Sequence, residues 1–309
     1  MFASLIRTTA AAAIAASALT SSAMAQDWKS ELPAFRVGIL GGENEADRLR
    51  KNECIVEQLG AKLGVPIELY PASDYAGVMQ GLLAGQLDAA QLGASGYAGI
   101  YLQDPEAVEP IFVALENDGS DGYYAMMYTK ADSGIEDLEG MRGKSLAFAD
   151  PNSTSGYLVP KAELEMQEIN PAEYFSSTGF GGGHEQAVVA VLNGQYDAGV
   201  TWTSGVGEEA EGFSRGALRS MVDKDLLDMK DLRIIWKSNL IPNGPWVLRK
   251  NAPQEAKDIA INWMETLNET DYDCYVNVSQ GEGKGFKRVD HAFFTNIVEM
   301  RKLELEGSR

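Results

Sequence analysis

The chain has 309 residues, with 45 Asp and Glu against 26 Lys and Arg and a formal net charge of −19. So acidic a polypeptide is a poor partner for nucleic acid or anionic membrane surfaces, and any anion site in it must be built locally from amides and hydroxyls. Its two Cys and two His (Cys54, Cys274, His184, His291) are too few and too scattered for a zinc site, and no cofactor is expected.

The N-terminus follows the grammar of a secretory signal peptide. Arg7 supplies the charge, Thr8 to Leu19 is Ala-rich and apolar, and Ala23-Met24-Ala25 precedes the expected cut before Gln26. This apolar segment is shorter than the roughly 20 residues a spanning helix needs. No Cys follows the cut, so no lipid anchor is indicated. Losing residues 1–25 of 309 leaves 284, enough for two domains of ordinary size, and losing Arg7 takes the charge to −20. The mature chain is expected outside the cytoplasm, and no later segment is apolar enough to span a membrane. In that compartment Cys54 and Cys274 either form a bridge or remain two buried thiols.

Phe35-Arg-Val-Gly-Ile-Leu40 reads as a strand, Gly41 to Glu45 as a turn, and Ala46 to Leu63 as one helix ended by Gly64. Val65 to Tyr70 reads as a second strand. Asp74-Tyr75-Ala76-Gly77 opens a second helix that runs to Gly85, and Asp88 to Leu92 is a third strand. This β-α-β-α-β order specifies a parallel sheet covered by helices. Glu116 to Gly122 is a polar, Gly-rich connection, followed by a strand at Tyr123 to Thr129. A return crossing is expected near Asn243-Gly-Pro245, between Arg233-Ile-Ile-Trp236 and Trp246-Val-Leu-Arg249. The helical segments Pro253 to Thr270 and Phe293 to Leu305 then rejoin the first lobe. The expected division is residues 26–118 with 245–309 in one lobe and 119–244 in the other.

The order repeats. Gly85-Gln86-x-Asp88-Ala89 matches Gly194-Gln195-x-Asp197-Ala198. The same offset lays the first strand on Leu146 to Ala149, Gly41 to Glu45 on Asp150 to Thr154, and Tyr75 on His184. Two α/β lobes of like topology follow. In parallel sheets ligands sit at the carboxyl ends of strands, where helices begin, so these loops are expected to face one cleft.

The loop Asp150-Pro-Asn-Ser-Thr-Ser-Gly156 stands between the strand Ser145 to Ala149 and a helical run from Lys161. Ser and Thr are good helix caps, and a cap needs one hydroxyl. Three in a row, beside free backbone N–H groups and the positive end of a helix dipole, make a socket for a tetrahedral oxyanion. His184, in Gly181-Gly-Gly-His-Glu185, either caps its helix or donates to that anion. Tyr75 either packs on its own lobe or donates from the opposite side. Trp202 and Trp246 stand near strand ends, where an indole is either core or pocket wall. The acidic runs Glu208 to Glu211 and Asp223 to Asp231 read as solvated faces. A secreted serine hydrolase is the competing class, but no G-x-S-x-G surrounds Ser153 or Ser155 and no general base is evident locally. No phosphate-binding Walker loop occurs either.

Asp74-Tyr-Ala-Gly77, Asp150 to Pro160, Gly183-His184-Glu185 and Ile234-Ile-Trp-Lys-Ser238 resemble the phosphonate-binding periplasmic proteins of ABC importers, over about Phe35 to Arg249. The resemblance implies an α/β type II periplasmic binding protein with two lobes, a hinge and a ligand cleft between them. It implies a non-enzymatic, monomeric receptor that passes a phosphonate to a membrane permease. Phosphonate oxygens would be held by Tyr75, Ser153, Thr154, Ser155 and His184. Relatives that bind 2-aminoethylphosphonate set carboxylates against the amine. The aligned positions here hold Ser204 and Gly244, with Asp121 and Glu185 as possible substitutes. An alkylphosphonate, an amine held over Trp202 and Trp246, phosphite, phosphate and a sulfonate all stay open. The candidate ligand-binding set is Tyr75, Ser153, Thr154, Ser155, His184, Trp202, Ser204 and Trp246.

Overall fold

The computed structural model describes residues 28–42 and 44–307, so the expected signal segment lies outside the described residues. Among them are β1 (Phe35–Ile39), β2 (Ile67–Pro71), β3 (Ala89–Gln91), β4 (Val108–Ala114), β5 (Gly122–Lys130) and β6 (Ser145–Phe148). β7 (Ser177–Phe180), β8 (Ala198–Thr203), β9 (Leu232–Lys237), β10 (Ile241–Pro242), β11 (Trp246–Arg249) and β12 (Phe286–Arg288) follow. They form two six-stranded sheets, one in each lobe.

The first sheet has the order β12-β4-β11-β3-β1-β2, and the second runs β10-β5-β8-β6-β7 with β9 also paired to β5. In each, the β-α-β-α-β half is parallel: β1 lies between β2 and β3, and β6 between β7 and β8. Antiparallel strands complete them, β11 against β3 and β5 against β8. Central strands are apolar on both faces because helices cover both. Val37, Ala90 and Val247 are buried in the first lobe, as are Leu146, Val200 and Met127 in the second.

The repeat is physical. Helices Tyr75–Leu83 and His184–Leu192 lie 109 residues apart at both ends. Gly85 and Gly194 follow them at φ 68° and 71°, a left-handed conformation that releases the chain from the helix toward the next strand. The motif's Asp then holds the neighbouring strand. Asp88 accepts from the Arg36 N–H at 2.9 Å, and Asp197 from the Ser145 N–H at 2.7 Å, so the same backbone position is pinned in each lobe. Asp88 is wholly buried and also pairs with the guanidinium groups of Arg36 and Arg249 at 2.9 and 2.7 Å, tying β1, β3 and β11 together.

The expected single helix from Ala46 to Leu63 is interrupted. One helix spans Glu45–Lys51, and a π-helical turn at Ile55–Leu59 leads into Gly60–Leu63. At the break, Asn52 Nδ2 donates to the Arg48 carbonyl at 2.8 Å, a local bond that competes with the backbone ladder. Cys54, just after it, is bridged to Cys274 of helix Tyr272–Ser279, with Cα atoms 5.9 Å apart.

The two crossings between lobes meet in a buried polar knot. Arg215 donates to both carboxylate oxygens of Glu116, from the first crossing, and to Asn243 Oδ1 at 2.9 Å, from the second. Its remaining nitrogen donates to the Ser279 carbonyl at 2.8 Å. Breaking such a buried pair by removing one partner leaves an uncompensated charge, so the three groups stand or fall together.

Candidate functional site

The hydroxyl-rich loop divides its labour. Ser153 is the helix cap: its Oγ accepts from the Gly156 N–H at 3.0 Å. A π-helical turn, Thr154–Leu158, then leads into helix Val159–Met166. Thr154 Oγ1 reaches the other lobe and accepts from the Ser95 N–H at 2.9 Å, at the start of helix Ala94–Gln103. Ser155 is buried beside the phenol of Tyr123, which also lies next to Thr154. Burial pushes the Tyr123 pKa up, so its hydroxyl stays a donor.

His184 is the first residue of its helix and only 5% exposed. Nε2 lies 3.2 Å from Ser153 Oγ and Nδ1 3.3 Å from Thr201 Oγ1. Burial pushes its pKa down to about 4, and the dipole of its helix acts in the same direction. The ring is neutral at pH 7, with one N–H to give. Because Nδ1 faces a hydroxyl and not a carboxylate, the Ser153–His184 pair lacks the group that orients the base in a hydrolytic triad.

Tyr75 opens the matching helix of the first lobe, where Asp74 accepts from the Gly77 N–H at 2.9 Å. The Tyr75 backbone N–H faces Asp150 across the cleft; burial pushes that carboxyl's pKa up, and the N–H groups of Asn152 and Tyr75 draw it back. The lobes touch elsewhere too. A Cβ on Gly183 would stand 2.2 Å from the Gly42 carbonyl oxygen. Lys224 bridges Glu185 at 2.6 Å and Asp47 at 3.4 Å, and Arg301 donates to the Pro151 carbonyl at 3.1 Å. The conformation is closed.

Tyr75, Ser153, Thr154, Ser155, His184 and Trp202 converge on one interlobe cavity of about 80 Å³. That is roughly half the 150 Å³ or so that accommodates benzene in an engineered apolar cavity, room for a small tetrahedral group. Trp202 forms its wall edge-on to Tyr123, ring centroids 5.7 Å apart, with the Arg215 guanidinium 5.4 Å from the indole. Trp246 is not in this cavity but lines an adjoining one. Ser204 lines neither: it is buried, with Oγ 2.9 Å from Ser214 Oγ. Asp121 and Glu185 line neither cavity: Asp121 is paired with Lys287 at 2.6 Å and Glu185 with Lys224.

Tyr123, Arg215 and Asn243 are among the lining residues that escape the sequence reading, with Leu40, Gln91, Leu92, Gly93 and Gln280 beside them. Tyr123 follows Gly122 at the end of the first crossing between lobes, a signal that reads equally as a strand start. Arg215 carries no local signal, since its partners Glu116 and Asn243 are distant in sequence.

A family model described as ABC transporter, phosphonate, periplasmic substrate-binding protein matches residues 37–292. The phosphonates-binding periplasmic protein of Escherichia coli is 31% identical over 246 residues, covering 77% of this chain and 67% of that protein. The phosphate-import protein PhnD of Mycolicibacterium smegmatis is 29% identical over 317 residues, covering 97% and 93%. Among solved structures, the binding component of a phosphonate ABC transporter from Pseudomonas aeruginosa superposes with a TM-score of 0.76 at 24% identity, covering 88% of this chain and 87% of that one. PhnD1 of Prochlorococcus marinus, solved with methylphosphonate, superposes at 0.73 with 18% identity, covering 88% and 98%. The two-lobed α/β architecture is thus that of periplasmic binding proteins, and the chain belongs to the family of phosphonate-type periplasmic substrate-binding proteins of ABC transporters.

Proposed function

We propose that this protein captures a phosphonate in the periplasm and presents it, enclosed, to the permease of an ABC transporter. The observation that carries the reading is the convergence of the Ser153–Ser155 helix start, Tyr75, Tyr123 and a neutral His184 on one interlobe cavity. Every one of these groups has an N–H or O–H to donate, so the set matches the oxygens of a phosphonyl group, while the Arg215 guanidinium in the same wall is already paired with Glu116. The anion docks on the Ser153–Ser155 terminus, and Tyr75 arrives with the first lobe. Only the closed state makes both sets of contacts, so ligand shifts the population toward it. The hinge lies in Glu116 to Gly122 and Asn243 to Pro245, between lobes of residues 26–118 with 245–309 and 119–244. Export by a cleaved signal peptide and action as a monomer complete the reading.

The protein works by stoichiometric binding, without turnover. Titration calorimetry on ligand-stripped protein with methylphosphonate, phosphite, phosphate and a sulfonate tests the ligand class. Ser155→Ala should weaken the preferred phosphonate by about 10- to 100-fold, the range for a hydrogen bond to a charged group, with the ligand-free melting temperature little changed. Unchanged affinity would remove this site from consideration, and release of phosphate from any phosphonate would favour the hydrolase.

A further inference from the structure

A second chamber of similar size, about 80 Å³, adjoins the first; Tyr75, His184 and Trp202 line both. Its far wall presents donors. Lys51 comes from the last turn of helix Glu45–Lys51, and Asn52 and Asn277 bring amides. Basic residues near a helix C-terminus complement its dipole, and that accounts for Arg50, which is exposed and paired with Asp47 at 2.6 Å. Lys51 is half-buried in the chamber wall, and it is not among the cations that form ion pairs with the described residues.

The second observation concerns Trp246. Its side chain stands, at 6% exposure, between the chamber and an apolar cavity lined by Phe35, Val37, Ile55 and Leu59, and its buried Nε1–H has no acceptor among the described residues. A buried donor left unpaired is destabilising, so an acceptor that reached it would gain a full hydrogen bond. No Asp or Glu lines the chamber among the described residues, although the chain carries 45 of them. An aminoalkyl substituent would bring its ammonium toward Lys51 with no carboxylate among the described lining residues to meet it. A plain alkyl group would satisfy neither Lys51 nor the indole N–H.

We infer that this chamber receives a carboxylate on the same ligand, which makes the substrate class a phosphonocarboxylate. The inference rests on the reading of the first cavity as the phosphonyl site. The phosphonyl oxygens sit on the Ser153 loop, a short methylene spacer passes between Tyr75 and Trp202, and the carboxylate accepts from Lys51 and from the Trp246 indole.

Calorimetry on the mature, ligand-stripped protein tests it with two matched series. Phosphonoacetate and 3-phosphonopropionate are compared with ethyl- and propylphosphonate, and 2-aminoethylphosphonate serves as the cationic probe. The better carboxylate ligand should bind about tenfold more tightly than its alkyl counterpart, the scale of one charge-assisted contact in a partly buried site. Lys51→Gln and Trp246→Phe should each pull that ratio toward one, with melting curves confirming that the variants fold, while Lys51→Arg should keep it. Equal affinities for the two series, a ratio that survives Lys51→Gln, or 2-aminoethylphosphonate as the tightest ligand would overturn the inference and leave the phosphonate site standing. Failure of every phosphonate to bind would overturn the proposed function and this inference with it.

Discussion

His184 shows how burial chooses a chemical role. With its pKa near 4 against the usual 6.5, the unfolded chain holds a proton between those values that the folded chain refuses. This contribution is complete above pH 6.5 and is lost as pH falls toward 4, on the order of 3 kcal/mol in all. Urea unfolding of the wild type and His184→Gln at pH 7 and 4.5 should therefore show the wild type losing about 2–3 kcal/mol more than the variant; equal losses would mean that the ring is not held neutral. At this scale the sequence was most informative where residues cluster. Ser153, Thr154 and Ser155 announce a site because three hydroxyls exceed what a cap uses. Tyr123 and Arg215 do not, because their meaning lies in partners a long way off along the chain. Ser204 stands at the position aligned with an amine-facing carboxylate of relatives, but its side chain turns into its own loop.

At the scale of elements, Gly85 and Gly194 explain why the repeated motif is recognisable. Each must leave a helix with positive φ, and a Cβ at either would meet nothing within 4 Å. The cost of replacing them is thus conformational alone. Gly85→Ala and Gly194→Ala should each destabilise by about 1–2 kcal/mol, and the two should add because they stand in different lobes. Denaturant melts of both single variants and the double would expose any departure. Turn glycines, caps and apolar runs gave the strands and helices in order, since each depends on adjacent residues. The break after Lys51 was not legible: apolar spacing continues through it, and a single Asn52 side chain diverts the backbone. The pairing of Cys54 with Cys274 was equally undecided, because it depends on a distance between helices that no local pattern encodes.

At the scale of the molecule, closure is limited by two glycines on opposite lips of the cleft. A methyl group on Gly183 would run into the Gly42 backbone, which cannot yield as a flexible side chain would. Gly183→Ala should weaken ligand binding by about tenfold or more, because the added methyl penalises the closed state and also strains the Gly183 backbone, which holds φ at 158°. Small-angle scattering should then show a smaller ligand-induced compaction than in the wild type; full compaction with wild-type affinity would refute the idea. The two-lobed plan was legible from one five-residue motif and its offset. The placing of β11 in the middle of the first sheet was not, since strand order across a sheet is set by long-range pairing.

That placement has a consequence for the order in which the molecule can be completed. β11 separates β3 from β4, so the sheet that begins the chain lacks a middle strand until residues 246–249 arrive. The second sheet draws all its strands from residues 122–242. In a chain that is made from its N-terminus onward, the later lobe is the first to have every strand it needs. The earlier one must wait, with β3 and β4 presenting unpaired edges that chaperones or proteases can reach.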